Sequence, residues 1–328
     1  MNLTNRNGLP EALVRALSEG VRKPYDPATE GKISVTGLLD PPRLLQLLIR
    51  HWEDLSQDVS DRIWALFGTA VHSFAERGAG ADDLSEEFLE VVVPGTEITL
   101  RGKADLYTSE APGKGTVWDY KTGSVYQVTS FKAENIRKWA EQLNPYGWMY
   151  RQNGFPVTTL KVVLIMKDWK AGKANGPDYP SCPVEVITIP LWSDDKTVRF
   201  LQNRIVQHVT VNHLSDFDLP ACTKEEFWGR DEVIAVYKTP SSARAAKLFP
   251  VDDDGESLAV TRAVEEAIQW AVSNGGFDHI GYRAPVRTRC EGYCPVKAYC
   301  SAYAEALSAQ KAPRVYLANG SYIDLVKE

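Results

Sequence analysis

The apolar residues change period between residues 40 and 170, and that change constrains the fold more than any other feature of the sequence. Residues 40–55 (DPPRLLQLLIRHWEDL) predict a helix opened by Pro41 and Pro42, and residues 60–77 a second one with Ser60 as its N-cap. In that second helix Ile63, Phe67, Ala70, Val71 and Phe74 recur at helical spacing, as a face packed on the core would. The text then shifts to strands. Residues 88–107 predict a β-hairpin turning near Pro94-Gly95, and residues 116–123 a short strand ending in a turn. An amphipathic helix over 132–153, ended by Gly154 and Pro156, precedes a strand over 157–168 that is apolar enough to be central. Residues 183–192 alternate like an outer strand, and 194–214 are again helical. This order predicts a mixed sheet flanked by helices, of α/β or α+β class.

Three regions follow: 1–33, polar and read as a short helix and a loop; a core over 34–215; and an accessory region over 216–328. Within the last, 216–256 reads as loop-rich, DDDG at 252–255 as an exposed turn, 257–273 as a helix, and the tail RVYLANGSYIDL as a hairpin turning at Asn319-Gly320. With 328 residues, 44% hydrophobic and 24% charged, the composition is that of an ordinary globular chain. No apolar run reaches the roughly 18 residues of a membrane span, and the first twenty residues carry no signal-peptide stretch, so a cytoplasmic protein without membrane contact is expected.

The net charge of −6 argues against a polyanionic partner, but its distribution does not. Residues 121–175 hold nine basic and three acidic side chains, a net +6. Such a local excess suits phosphate contacts, and equally a solvated helix face.

Three places share one chemical theme. On the helix over 60–77, Gly68, His72 and Glu76 fall at i, i+4 and i+8, in one stripe. Gly68 would admit another backbone, and an imidazole with a carboxylate one turn on suits a divalent metal, or a histidine half-buried at a helix–sheet contact. Asp105 in RGKADLY falls late in the second hairpin strand, where aspartate is disfavoured. Asp119 and Lys121 in VWDYKTG are two residues apart on one strand and point the same way. There a carboxylate can hold a metal while the ammonium orients water or offsets charge on a phosphate; the plain alternative is an ion pair on an edge strand.

Taken in order, GTAVH at 68–72, GKAD at 102–105, DYK at 119–121 and QLNPY at 142–146 resemble the motifs of the RecB-like branch of the PD-(D/E)XK nucleases. The resemblance covers residues 60–150. It implies a restriction-endonuclease-like core and a metal-dependent deoxyribonuclease of exonuclease type, acting in recombination, repair or phage DNA processing. It also implies that His72, Asp105, Asp119 and the Tyr120 carbonyl hold Mg²⁺ or Mn²⁺, that Lys121 positions the attacking water, and that Gln142 and Tyr146 contact the substrate backbone or brace the site. The alternative is a non-catalytic nucleic-acid-binding protein on a decayed nuclease core, which the intact Asp105, Asp119 and Lys121 set argues against. No helicase P-loop is present, so a motor or recombination partner would be a separate chain.

Cys290, Cys294 and Cys300 form C-x₃-C-x₅-C, a spacing that in a reducing compartment points to a metal rather than to disulfides. A subset of RecB-like nucleases carries a four-iron four-sulfur cluster on three closely spaced cysteines after the core and a fourth far upstream. This chain departs from that pattern: its first gap is three residues instead of two, and no cysteine precedes the nuclease motifs. The fourth ligand is then Cys222 or Cys182, with Cys222 preferred because it shares the region after the core. A structural Zn²⁺ is the alternative occupant.

Overall fold

The apolar run around residue 160 forms a strand over Thr159–Met166 in which Leu160, Val162, Leu164 and Met166 are buried and their neighbours half-buried. A pleated strand gives that period of two, and each such side chain removed from water contributes roughly 1.5–3 kcal/mol. The computed structural model describes all residues except 79, 81, 82, 240, 252–258, 276–278, 310–313, 317–321 and 325–328. The chain divides into two units, Met1–Leu214 and Ser215–Glu328.

In the first unit the main elements run β1 (Lys32–Ser34), α1 (Pro42–Arg50), α2 (Ile63–Arg77), β2 (Leu84–Ser85), β3 (Phe88–Val92), β4 (Thr99–Lys103), β5 (Leu106–Ala111), β6 (Lys114–Gly123), α3 (Lys132–Gln152), β7 (Thr159–Met166), β8 (Val184–Ile189) and α4 (Asp194–Val209). A five-stranded sheet has the order β8-β7-β6-β5-β2. Its β6 and β7 are parallel and its other pairs antiparallel. A parallel pair needs a long crossover, and α3 supplies it. A second sheet, ordered β1-β4-β3, contains the expected hairpin, whose turn places Gly95 at φ +73°. Leu89 and Leu100 from this sheet, Val117 and Leu160 from the larger one, and Leu143 and Met149 of α3 join in one core. The architecture is mixed α/β with sheets flanked by helices, as the period changes predict.

Several expectations fail for identifiable reasons. Residues 1–33 hold the expected short helix, Glu11–Ser18, but also an unexpected strand, Asn2–Thr4, paired in parallel with Ser56–Asp58. The buried Asp58 carboxylate ties this pairing together. It accepts from Arg6 N at 2.7 Å, Ser60 Oγ at 2.7 Å and Thr4 Oγ1 at 2.8 Å. Those bonds, the Arg6 amide first, hold its carboxyl well below the usual carboxylate range. Asp58 also accepts from Ser60 N at 3.1 Å and caps the short turn that leads into α2, so the cap is Asp58 and not Ser60. The apolar face of α2 is not a core face. Phe67 and Phe74 are exposed, and Ile63, Ala70 and Val71 are half-buried. Gly68 has no atom within 4 Å of where a Cβ would stand, so no backbone approaches it.

In the second unit, residues 216–256 are less loop-rich than expected. They contribute β9 (Gly229–Arg230), β10 (Val233–Tyr237) and β11 (Lys247–Pro250); α5 (Ala259–Ser273), β12 (His279–Arg283), β13 (Val286–Arg287), α6 (Thr288–Gly292) and α7 (Ser301–Ala309) follow. The antiparallel sheet β11-β10-β12 packs Ile234, Val236 and Tyr282 against Ala263, Val264, Ala267 and Ala271 of α5. In the tail Arg314–Tyr316 pairs with Tyr322–Asp324, while the turn at Asn319-Gly320 and the DDDG segment lie outside the described residues. No helix among the described residues is long and apolar enough to cross a membrane.

Candidate active site

α2 crosses against β6 and brings His72 to the strand's backbone: Nε2 of His72 lies 3.1 Å from the Tyr120 carbonyl oxygen. On the other side of the ring, Nδ1 is 3.4 Å from Asp105 Oδ1 and 3.9 Å from Glu86 Oε1. Asp105 is not inside a hairpin strand. It sits at the bend between β4, in the three-stranded sheet, and β5, in the five-stranded one. That change of sheet frees its side chain from the ladder, and Oδ2 accepts from Tyr120 N at 2.6 Å. Burial, and next the negative charge of Asp119, push the Asp105 carboxyl up to about 6, against the opposing pull of the Tyr120 amide, His72 and Lys121.

His72, Glu86 and Asp105 offer ligand atoms that all lie within 4.8 Å of one another. Glu86 takes the part that the helix stripe assigned to Glu76, which is exposed and outside this group. The Glu86 backbone is left-handed, with φ +53°, and its carboxylate pairs with Lys103. Nothing in the sequence around Glu86 marks it as a ligand. Asp119, expected in the same ligand set, is not a member of this group.

Asp119 is 4% exposed on β6, and its Oδ2 is buried without a hydrogen bond. Lys121 Nζ approaches that oxygen to 2.7 Å but off the angle of a hydrogen bond, and donates instead to Gln142 Oε1 of α3 at 3.0 Å. Tyr146, one turn further on α3, is buried, and its hydroxyl is held above its ordinary range by burial and then by Asp119, Asp105 and Glu86. The structure therefore gathers His72, Asp105, Asp119, Tyr120, Lys121, Gln142 and Tyr146 around the α2–β6–α3 contacts. Two carboxylates converging in a poorly solvated place, one with an unbonded oxygen, are the donor set a hard divalent cation needs.

Of the basic side chains in 121–175, Lys132, Arg137, Lys138 and Arg151 are paired with Glu185, Glu141, Glu134 and Asp194; only Glu185 and Asp194 come from outside the segment, so most of its excess of positive charge remains.

The family profile of the PD-(D/E)XK nuclease superfamily matches residues 35–301. The chain belongs to that superfamily. Members are typically metal-dependent nucleases, and the carboxylates and lysine described above lie inside the matched span. Among solved structures the chain is similar to SSO0001, with 20% identity, TM-score 0.41, and coverage of 63% of this chain and 88% of that one. It is also similar to a phage-related exonuclease from Haemophilus somnus 129PT, with 13% identity, TM-score 0.28, and coverage of 52% and 70%. Both TM-scores are too low to carry an argument about fold or activity. No curated protein matches the sequence.

The four cysteines Cys222, Cys290, Cys294 and Cys300 are half-buried and unpaired by disulfides, and the last three lie close enough to Cys222 to act on its thiol. Burial, and next the Glu226 carboxylate, push the Cys222 thiol up to about 12, and Cys300, Cys290 and Cys294 push the same way. Cys182 is exposed and donates to the Val184 carbonyl at 2.9 Å.

Proposed function

We propose that this PD-(D/E)XK protein is a metal-dependent DNA nuclease of RecB-like type, hydrolysing phosphodiester bonds and working from DNA ends. The observation that carries the proposal is the meeting of His72, Glu86 and Asp105, from three separate segments, with ligand atoms within 4.8 Å of one another. His72, Asp105 and the Tyr120 carbonyl would hold Mg²⁺ or Mn²⁺, with Glu86 added and Asp119, whose Oδ2 pairs with Lys121 at 2.7 Å but accepts no hydrogen bond, as a further carboxylate. Hard oxygens with one imidazole favour these ions. A cation bound there supplies charge neutralisation at the scissile phosphate and a water of lowered pKa. Lys121, steadied by Gln142, presents its ammonium on the same strand face as Asp119, where it can orient water or offset developing charge. Gln142 acts as a brace for Lys121, and neutral Tyr146 backs the acids.

The second unit would carry a four-iron four-sulfur cluster on Cys222, Cys290, Cys294 and Cys300. Four half-buried thiols close enough for the other three to raise Cys222 support a shared metal group, and tetrathiolate ligation suits zinc as well as an iron–sulfur cluster.

The test is cleavage of end-labelled linear and covalently closed circular DNA with Mn²⁺, Mg²⁺ or EDTA. Metal-dependent loss of the linear substrate, with the circle spared, is expected. DNA binding with no cleavage in either metal would replace the nuclease by a binding protein.

A further inference from the structure

The exposed side of α2 is aromatic. Trp64 is 66% exposed, Phe67 53% and Phe74 71%. Rings of this size gain nothing in water, and three on one short helix form a surface with a use. Trp64 and Phe67 are neighbours, with ring centroids 5.9 Å apart. Lys167 places its ammonium 5.0 Å from the Trp64 ring centroid. Lys167, Lys170 and Lys173 are all exposed and form no ion pair among the described residues, unlike the basic side chains of α3. The same helix carries His72. Helical geometry puts Trp64 about 80° around the axis from His72 and about 12 Å along it, and Phe67 about 140° around and about 7.5 Å along, so the rings form a face of α2 to the side of the site.

We infer that Trp64 and Phe67 are a stacking platform for the bases of single-stranded DNA, with Lys167, Lys170 and Lys173 along the phosphates, so that the helix that carries His72 holds a single strand on its outer face. The inference rests on the nuclease reading above for its substrate. The charge beside the rings favours a polyanion over an apolar protein surface. Flat rings with flanking ammonium groups match unstacked bases on a phosphate chain. A duplex keeps its base faces inside its own stack and can use the lysines but not the rings.

The experiment reads binding, not cleavage. Fluorescence anisotropy of labelled oligo(dT) and of a hairpin-capped duplex is measured with the full chain in EDTA, at fixed salt. The wild-type chain should prefer oligo(dT). Trp64→Ala and Phe67→Ala should each weaken oligo(dT) binding roughly 5- to 100-fold, and Trp64→Phe should recover most of it. Lys167→Ala should reduce the salt dependence by about one phosphate contact. Because the rings are exposed, thermal melting of these variants should match the wild type. No oligo(dT) binding by the wild-type chain, wild-type affinity in the Trp64→Ala/Phe67→Ala double variant, or equal losses for both ligands would each overturn the inference. Binding through the two rings without cleavage in Mn²⁺ would leave it standing and remove the nuclease reading instead.

Discussion

A Cβ built on Gly102 would stand 2.8 Å from Cε1 of Tyr146 and 3.4 Å from its hydroxyl. Gly102 is on β4 and Tyr146 on α3, and the buried ring fills the space that a side chain at 102 would need. The glycine of the GKAD motif therefore serves the tyrosine of QLNPY. Gly102→Ala should destabilise the chain by about 1–3 kcal/mol, as overpacking of a filled site does. It should also lower cleavage, because Tyr146 backs Asp105 and Asp119. Urea denaturation and the linear-DNA assay check the two effects separately; a variant with wild-type stability would show that the ring shifts freely.

Lys121→Ala should reduce cleavage by about 100-fold or more, the scale on which removal of a charge-stabilising donor acts, while its melting temperature stays near the wild-type value. Gln142→Ala should cost less, since Lys121 keeps Asp119 beside it at 2.7 Å after losing its bond to Gln142. Cleavage by Lys121→Ala at wild-type rate would remove the proposed role of the lysine.

The mixed sheet flanked by helices was legible because strands β6 and β7 and the helix between them carry clear periods, whereas the order of strands in the sheet was not read. The strand pair of Asp119 and Lys121 was legible from parity alone. Asp105 was read as a strand residue because the sequence does not show where a chain leaves one sheet for another, and β4 and β5 are nearly continuous. Glu86 was invisible because its position depends on a left-handed backbone at a turn, which nothing in LSEEF announces. The apolar pattern of α2 gave the helix but not its orientation: periodicity reports a face, and the core and a nucleic-acid surface can both ask for aromatic rings.

Cleavage should be lost in excess EDTA and restored by Mn²⁺ better than by Ca²⁺, which prefers more ligands at longer distances. His72→Ala and Glu86→Gln should raise the Mn²⁺ concentration for half-maximal activity about tenfold or more, with little change in oligonucleotide affinity measured in EDTA. Titration calorimetry of Mn²⁺ with each variant reads the site directly. An unaltered Mn²⁺ isotherm for Glu86→Gln would return the site to Asp119 as its second acid.

His208 is fully buried in α4, with Nε2 donating to the Leu38 carbonyl at 3.0 Å and Nδ1 unbonded. Burial lowers its pKa to about 4, and the nearby Arg204 charge acts the same way. The unfolded chain therefore binds more protons than the folded one between about pH 6.5 and 4, so stability rises with pH across that window. This contribution is complete above pH 6.5. It is lost on acidification by roughly 3 kcal/mol in all, from 1.36 kcal/mol per unit. Chemical denaturation at pH 7.5 and pH 4.5 should show a smaller drop for His208→Gln than for the wild type; parallel drops would show that His208 does not titrate on unfolding.

The last prediction concerns the thiols of the second unit. Burial raises Cys222, Cys290 and Cys294, so without a metal they remain protonated at neutral pH in a neighbourhood that gains little from four thiols. A bound metal group would convert them to thiolates and return its binding free energy as folding free energy. Protein purified without oxygen should be brown, absorb near about 400 nm and contain about four irons per chain. Cys222→Ser and Cys294→Ser should lose the colour and expose Ser215–Glu328 to protease. Cys182→Ser should retain both properties, because its exposed sulfur donates to Val184 and stands outside the group. A colourless protein with one tightly held zinc would assign the site to Zn²⁺. A metal-free protein in which Cys222→Ser and Cys294→Ser resist protease as the wild type does would leave the four cysteines with no metal role.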